Sequence, residues 1–288
     1  MKIDPSRLWK IDGPRTVVVL DGEFRYDEAA HARYQAAERF VPSDPISQSP
    51  REARNDPRVT PRWPCHQLVT LSWLVMMDGE DCLRPIRLET RGLPEDDECS
   101  VLTAFFADMA QLGQQIELVT WGGFSSDLPQ ILLAAMTHGL RLPPALTGLR
   151  SPWRRDASKH SDLMSEVAGG ANPPHLAEVA ARLGIPVKLT CRPDLVSRLM
   201  AQGKWSSVRA VCEGDVWTTA MILMLWRQLG GDGQSAFEMK HRLASFIAAT
   251  CSHRPYAADW ARFGDDAVRA AFAHEAGKMA AIAPHLSD

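Results

Sequence analysis

Two periods of hydrophobic and polar residues alternate along this chain. Val17-Val18-Val19-Leu20 is an unbroken apolar run, mostly β-branched, and predicts a buried strand. His66 to Met77 is a longer apolar run, and Arg84 to Glu89 predicts a third strand. Between them Asp78-Gly79 is a hairpin-turn signature. The chain therefore opens as a three-strand meander. From Glu98 to Leu112 the period changes, with Val101, Leu102, Phe105, Phe106 and Met109 at the spacing of an amphipathic helix. Ile116 to Trp121 predicts another buried strand. A turn at Gly122-Gly123 leads into a helix from about Asp127 to His138, stopped by Gly139.

The remainder is helical in pattern. It comprises Pro174 to Leu183, Asp194 to Gln202, Ser206 to Leu229, Ser235 to Thr250 and the alanine-rich Ala257 to Ala283. Tyr26 to Phe40 also has helical composition. Pro42 to Pro64 carries six prolines and many charges, so it predicts a long loop. That loop is a surface insertion, or a lid whose Arg51, Arg54, Arg58 and Arg62 meet phosphates. No internal repeat and no linker divides the chain, so one domain is expected over residues 1–288. The element order is that of a ribonuclease-H-like fold: an α/β mixed sheet flanked by helices, with a helical C-terminal extension over 251–288.

Composition narrows the class without naming a function. Hydrophobic residues make up 45% and charged residues 23% of 288, ordinary for a soluble globular protein. No run approaches the roughly 20 apolar residues of a membrane span, and Met1 to Pro5 lacks a signal-peptide segment. Six scattered cysteines without C-x-x-C or zinc spacing favour reduced thiols and a cytoplasmic location. A net charge of −3 argues against a protein that coats nucleic acid, but not against an enzyme that grips a few phosphates.

The candidate chemistry begins where the first strand ends, at Asp21-Gly22-Glu23. Paired carboxylates at the end of a core strand are costly unless a cation sits between them. Mg²⁺ or Mn²⁺, hard cations that prefer oxygen, are suited to that place. The spacing alone is weak evidence, because it recurs at Asp78/Glu80 and Asp96/Glu98. The first of those pairs belongs to the hairpin turn, and the second suits the positive end of a helix dipole.

Four stretches together carry a resemblance. They are Val17 to Glu23, Leu118 to Pro129, His160-Ser161-Asp162-Leu163-Met164, and Val211 to Thr219. In this order, and with Leu183-Gly184-Ile185-Pro186 and Lys188 before the last, they resemble the predicted 3′-5′ exonucleases related to the proofreading domain of family-B DNA polymerases. The resemblance spans about residues 16–250. It implies a ribonuclease-H-like fold and two Mg²⁺ or Mn²⁺ ions bound by Asp21, Glu23, Asp127 and Asp215. It also implies hydrolysis from the 3′ end of single-stranded DNA or RNA.

The sequence departs from the family pattern in two stretches. Gly122-Gly123 and Ser126 replace the usual Asn-Gly and Phe of the second motif. Val211 stands one helical turn before Asp215, where the family usually has a water-orienting Tyr, and the sister group's His falls at Ala210. A weakened enzyme, a nucleic-acid-binding relative or a scaffold protein is the alternative these changes raise. Other features carry two readings each. Asp127 is a ligand or part of a helix start after Ser125-Ser126. Trp153, Arg154 and Arg155 hold phosphates and stack a terminal base, or form a solvated loop. His160 and Asp162 read as strand-end support, Cys212 as a small hydrophobe, and Glu213 as a solvated charge.

Overall fold

The computed structural model describes residues 15–41, 55–79, 82–150, 159–192, 195–230 and 235–282. Its centre is a five-stranded sheet. Arg15–Tyr26 is β1, His66–Asp78 is β2, Leu83–Gly92 is β3, Ile116–Thr120 is β4 and Lys159–Asp162 is β5. The spatial order is β3-β2-β1-β4-β5, so β1 is the middle strand. It pairs antiparallel with β2 and parallel with β4, while β5 runs parallel to β4. This mixed order is that of the ribonuclease-H-like fold.

Helices cover both faces, which explains why the β1 run is apolar at successive positions rather than alternating. Val17 and Val19 enter one core, and Val18 and Leu20 enter the other. The second core is closed by α2 (Glu98–Gln111) and α3 (Asp127–Thr137), which bury Phe105, Met109 and Ile131. α1 (Glu28–Ala37) follows β1. On the first face lie α4 (Leu163–Ala168), α5 (Leu176–Leu183), α6 (Val196–Ala201) and the long α7 (Trp205–Gln228). Behind them stand α8 (Ala236–Thr250) and α9 (Ala257–Ile282). Trp217 of α7 is completely buried there, and truncating it to Ala is expected to cost about 3–5 kcal/mol.

Several expectations change in the structure. β3 runs on to Gly92 rather than ending at Glu89, because Thr90 and Arg91 still pair with Ser72 and Leu71. The start of the C-terminal helical region is core rather than appendage: Tyr256 and Trp260 are buried in the α7 cluster. Glu213 is not a solvated charge. It is 1% exposed, accepts from the Tyr256 hydroxyl at 2.7 Å and pairs with Arg254 at 2.5 Å. The segment that leads into α9 folds back over that face of α7, which the periodicity of α7 alone does not reveal.

Of the two other acidic pairs with the same spacing, Glu80 lies outside the described residues, and the turn and helix-start readings rest on their neighbours. Gly79 N–H donates to the Cys82 carbonyl at 2.9 Å, closing the β2–β3 hairpin, and Asp78 pairs with Arg227 at 2.9 Å. Asp97 caps α2 by accepting from Ser100 N–H at 2.8 Å. Glu98 accepts from Leu68 N–H at 2.7 Å and contacts His138 at 2.8 Å. In the proline-rich stretch, Arg58 pairs with Asp56 and Arg62 donates to the Asn55 carbonyl, so both are engaged within the segment. Arg51 and Arg54 lie outside the described residues.

Candidate active site

Strand alternation sends Asp21 and Glu23 to the same face as Val17 and Val19, toward α7. The ladder with β2 shifts register just after Glu23, between Glu23/Phe24. Such a bulge twists a strand end and re-aims its side chains, here at the edge where Asp21 and Glu23 lie. Parallel pairing to β4 stops at Val19, so β1 continues alone past its neighbour on that side. The Gly22 N–H turns instead to the Asp127 carboxylate. The glycine between the two acids also leaves room for the Phe24 ring, which would lie 3.0 Å from a β-carbon at position 22.

Asp127 reaches this edge from the first turn of α3 and is buried. Ser126 is the N-cap but makes no side-chain capping bond; its hydroxyl donates to Asp127 Oδ2 at 2.9 Å. The turn before it is fixed from β5. Asp162 accepts from Gly122 N–H at 2.9 Å and from Phe124 N–H at 3.1 Å. Gly122 has φ +72°, a conformation that favours glycine. At Gly123 a β-carbon would collide with Thr120 at 2.6 Å, so the departure from Asn-Gly still satisfies the backbone. His160 Nε2 contacts Thr120 Oγ1 at 2.9 Å, and burial lowers its pKa. His160 and Asp162 thus shape the turn that carries Asp127.

Asp215 comes from the middle of α7 and forms an ion pair with Lys188. Lys188 sits between α5 and α6 with φ +51°, unusual for a residue with a side chain. Strain of this kind tends to collect at functional sites. The sequence places Lys188 in the resembling stretch but gives it no role, since a single lysine in a loop has no period to read.

The electrostatics are those of crowded acids. Burial, and then the carboxylates of Asp215, Asp127 and Glu23, hold the Asp21 pKa well above its usual range. Burial and Asp215 push Glu23 up to about 8, against the pull of Lys188. Burial pushes Asp127 up to about 6, although the Ser126 hydroxyl favours its charged form. Burial also raises Asp215, which Lys188 partly offsets. For Lys188 itself burial works downward, but Asp215, Asp21 and Glu23 outweigh it and the pKa rises. Asp21 and Glu23 therefore each feel the carboxylates of both Asp127 and Asp215. Among the described residues they do not close into a ready-made cage of three or more metal-ligating side chains. Their all-oxygen donor set and surplus negative charge nonetheless fit hard divalent cations.

Val211 is 3% exposed and faces a void of ≈ 10 Å³ that it shares with Lys188, Asp215 and Trp260. That is about the room of one water and far less than a phenol needs. Ala210 is buried as well. Cys212 donates from Sγ to the Asp21 carbonyl at 3.2 Å, and burial raises its pKa, so it behaves as a packed thiol rather than a nucleophile. Trp153, Arg154 and Arg155 lie outside the described residues.

A family model described as "Predicted 3'-5' exonuclease related to the exonuclease domain of PolB" matches residues 61–263. That span contains Asp127, Asp162, Lys188 and Asp215, while Asp21 and Glu23 precede it. Among solved structures, the family B DNA polymerase from the archaeon Pyrobaculum calidifontis is 17% identical with a TM-score of 0.49. The match covers 81% of this chain and 26% of the polymerase. Exonuclease I is 12% identical with a TM-score of 0.40, covering 80% of this chain and 45% of that protein. The chain thus spans well under two thirds of either. No curated protein matches the sequence. With the family model covering the greater part of its length, the chain belongs to the predicted 3′-5′ exonucleases related to the exonuclease domain of PolB.

Proposed function

We propose that the protein is a 3′-5′ exonuclease that hydrolyses single-stranded nucleic acid with two Mg²⁺ or Mn²⁺ ions bound by Asp21, Glu23, Asp127 and Asp215. The observation that carries this reading is the convergence of four carboxylates from β1, α3 and α7, each with its pKa raised. Each buried acid costs stability, and carboxylates with strongly raised pKa values gather at functional sites. When bound, a pair of such cations activates a water and stabilises the leaving 3′-oxygen.

The chain's own residues supply the rest. Asp21 and Glu23 are fixed by the sheet, with Gly22 tying β1 to Asp127 through its N–H. Asp162 sets the turn that aims α3 at this edge. Lys188 pairs with Asp215 and would leave a positive group close to a phosphate bound at this edge. Its ammonium is also a hydrogen-bond donor near buried Val211, where the family's usual phenol is missing.

The decisive assay is digestion of a 5′-labelled single strand. A ladder shortening from the 3′ end with Mn²⁺, absent with chelator and absent in Asp21→Asn, supports the proposal. A second reading, a binding protein that no longer cuts, is favoured by Val211 and the Lys188 clamp. Tight strand binding without any metal-dependent shortening would establish it instead.

A further inference from the structure

Among the described residues β3 pairs with β2 alone, so it is an edge strand. The register determines which of its backbone groups are left over. Leu93 N–H donates to the Val69 carbonyl at 3.0 Å, which makes that opposed pair a bonded one. Bonded and non-bonded pairs alternate along an antiparallel ladder. Leu71/Arg91 and Trp73/Glu89 are then bonded pairs, while Ser72/Thr90 and Leu74/Leu88 are not. The hydroxyls of Ser72 and Thr90 lie 3.0 Å apart, in keeping with the closer side chains of a non-bonded pair. The N–H and C=O groups of Leu88 and Thr90 therefore point away from β2. Among the described residues nothing pairs with them.

Beside this edge lies a cleft of ≈ 450 Å³, bordered by Leu88 and Thr90 on one side and by α8 and the corner at residues 251–254 on the other. We propose that an extended, acidic segment of a partner protein binds here, adding to β3 as a sixth strand and setting alternate side chains into the cleft. This surface is separate from the acidic cluster, because β2 lies between β3 and the strand that carries Asp21 and Glu23. Binding here is independent of whether the protein cuts nucleic acid.

Backbone, walls and charge each select this occupant. Only an extended chain offers donors and acceptors at the spacing of Leu88 and Thr90. The walls suit apolar side chains at every second position: Ile86 is 50% exposed, and Phe246 lies at the margin of the core. The mouth is positive. Arg87, His253 and Arg254 line it, whereas the acids paired with the two arginines, Asp108 and Glu213, keep only 13% and 2% of their side chains exposed. Acidic side chains on the incoming strand complement that charge. A second copy of this chain fits less well. Its β3 arrives with α8 packed against it, and ≈ 450 Å³ takes a few side chains rather than a strand backed by a helix.

The test uses the full chain and labelled octapeptides: one of alternating Glu and Val, one of alternating Lys and Val, and the Glu-Val peptide N-methylated at every amide. Fluorescence anisotropy is expected to show the Glu-Val peptide binding about tenfold or more tighter than the other two. Amide hydrogen exchange reads the edge itself. The N–H groups of Leu88 and Thr90 are expected to exchange readily in the protein alone and about tenfold or more slowly with the Glu-Val peptide bound. Glu89 N–H, which faces β2, stays protected in both. His253→Glu places a like charge at the mouth and is expected to weaken the Glu-Val peptide about twofold to fivefold. Thr90→Pro removes a donor that an edge strand can spare and is expected to weaken it further. Absence of Glu-Val binding, equal binding of the Lys-Val or the N-methylated peptide, or binding that leaves exchange at Leu88 and Thr90 unchanged overturns the proposal. So does a folded His253→Glu protein that binds the Glu-Val peptide as tightly as the parent. Protection of both amides in the protein alone also overturns it, because another segment of this chain or a second copy would then already cover the edge.

Discussion

Lys188 and Asp215 form an ion pair that crosses from the loop after α5 to the middle of α7, and both side chains are largely shielded from water. Asp215 is the α7 member of the acidic cluster, so the ammonium acts on the whole group and not on one partner. It lowers the pKa values of Asp21 and Glu23 as well. A positive side chain at this point lets four acids coexist in a folded protein before any cation binds. The backbone at Lys188, with φ +51°, is what carries the ammonium to that place.

Replacing Lys188 with Met should therefore destabilise the metal-free protein in a pH-dependent way. Removing one partner of a shielded pair costs about 3–5 kcal/mol when the other charge stays behind. At pH 6 the crowded acids hold protons and the loss shrinks; at pH 8 they are more fully charged and it grows. Urea denaturation at both values checks this. A loss that is the same at both would mean that Lys188 contributes through packing alone.

The same acids give the unsubstituted protein a definite pH response. Glu23 titrates near 8 in the fold against an ordinary 4.5, and Asp127 near 6 against 3.8. Between those limits the native state keeps protons that the unfolded chain has released. Stability from these groups is therefore complete below the ordinary carboxylate range and is lost as pH rises through 6 and then 8. The metal-free protein should melt higher at pH 6 than at pH 8. Divalent cations must displace those protons, so the rise in Tm with Mn²⁺ should be larger at pH 8. A metal response that weakens as pH rises would place the cation elsewhere.

Much of the fold is legible in the sequence, and the exceptions have physical causes. The β1 run, the hairpin at Asp78-Gly79 and the stop at Gly139 rest on local propensity, which acts without knowledge of the tertiary fold. β5 is four residues of Lys-His-Ser-Asp, with no apolar period; only its pairing beside β4 makes it a strand. Glu213 lies on a helix face that is exposed or buried according to where the segment around Tyr256 packs, which a helical wheel does not contain. The four acids are identifiable through the order of their motifs. The role of Lys188 is not, because its pairing with Asp215 depends on segments remote in sequence meeting in space.

Asp21→Asn should abolish metal-dependent hydrolysis while leaving the metal-free protein at least as stable. Asp21 is the acid whose pKa is raised by all three of its neighbours, so a neutral side chain relieves repulsion. Unsubstituted protein should gain roughly 2.7 kcal/mol when Mn²⁺ is at a hundred times its dissociation constant. An Asp21→Asn/Asp215→Asn protein should gain much less. Calorimetry with and without Mn²⁺ measures both, and equal gains would remove these acids from the metal site.

Val211→Tyr tests whether the missing phenol limits the protein. Position 211 lies one turn before Asp215, so a tyrosine there starts on the correct helix face. The space does not favour it. Val211 is 3% exposed, and the adjoining void of ≈ 10 Å³ is bounded by Lys188 and Trp260. Inserting a ring into so tight a gap typically costs about 1–3 kcal/mol, and here it must push the Lys188 segment outward. The expected result is a lower Tm without faster cleavage, because the displaced lysine takes its charge away from Asp215. Cutting Trp260 back to Leu in the same protein should recover stability only if the ring lodges in that void. A folded Val211→Tyr protein that cleaves about tenfold faster or more, in the range of general acid–base help, would instead mean that the phenol reaches the reacting water and that valine is the defect.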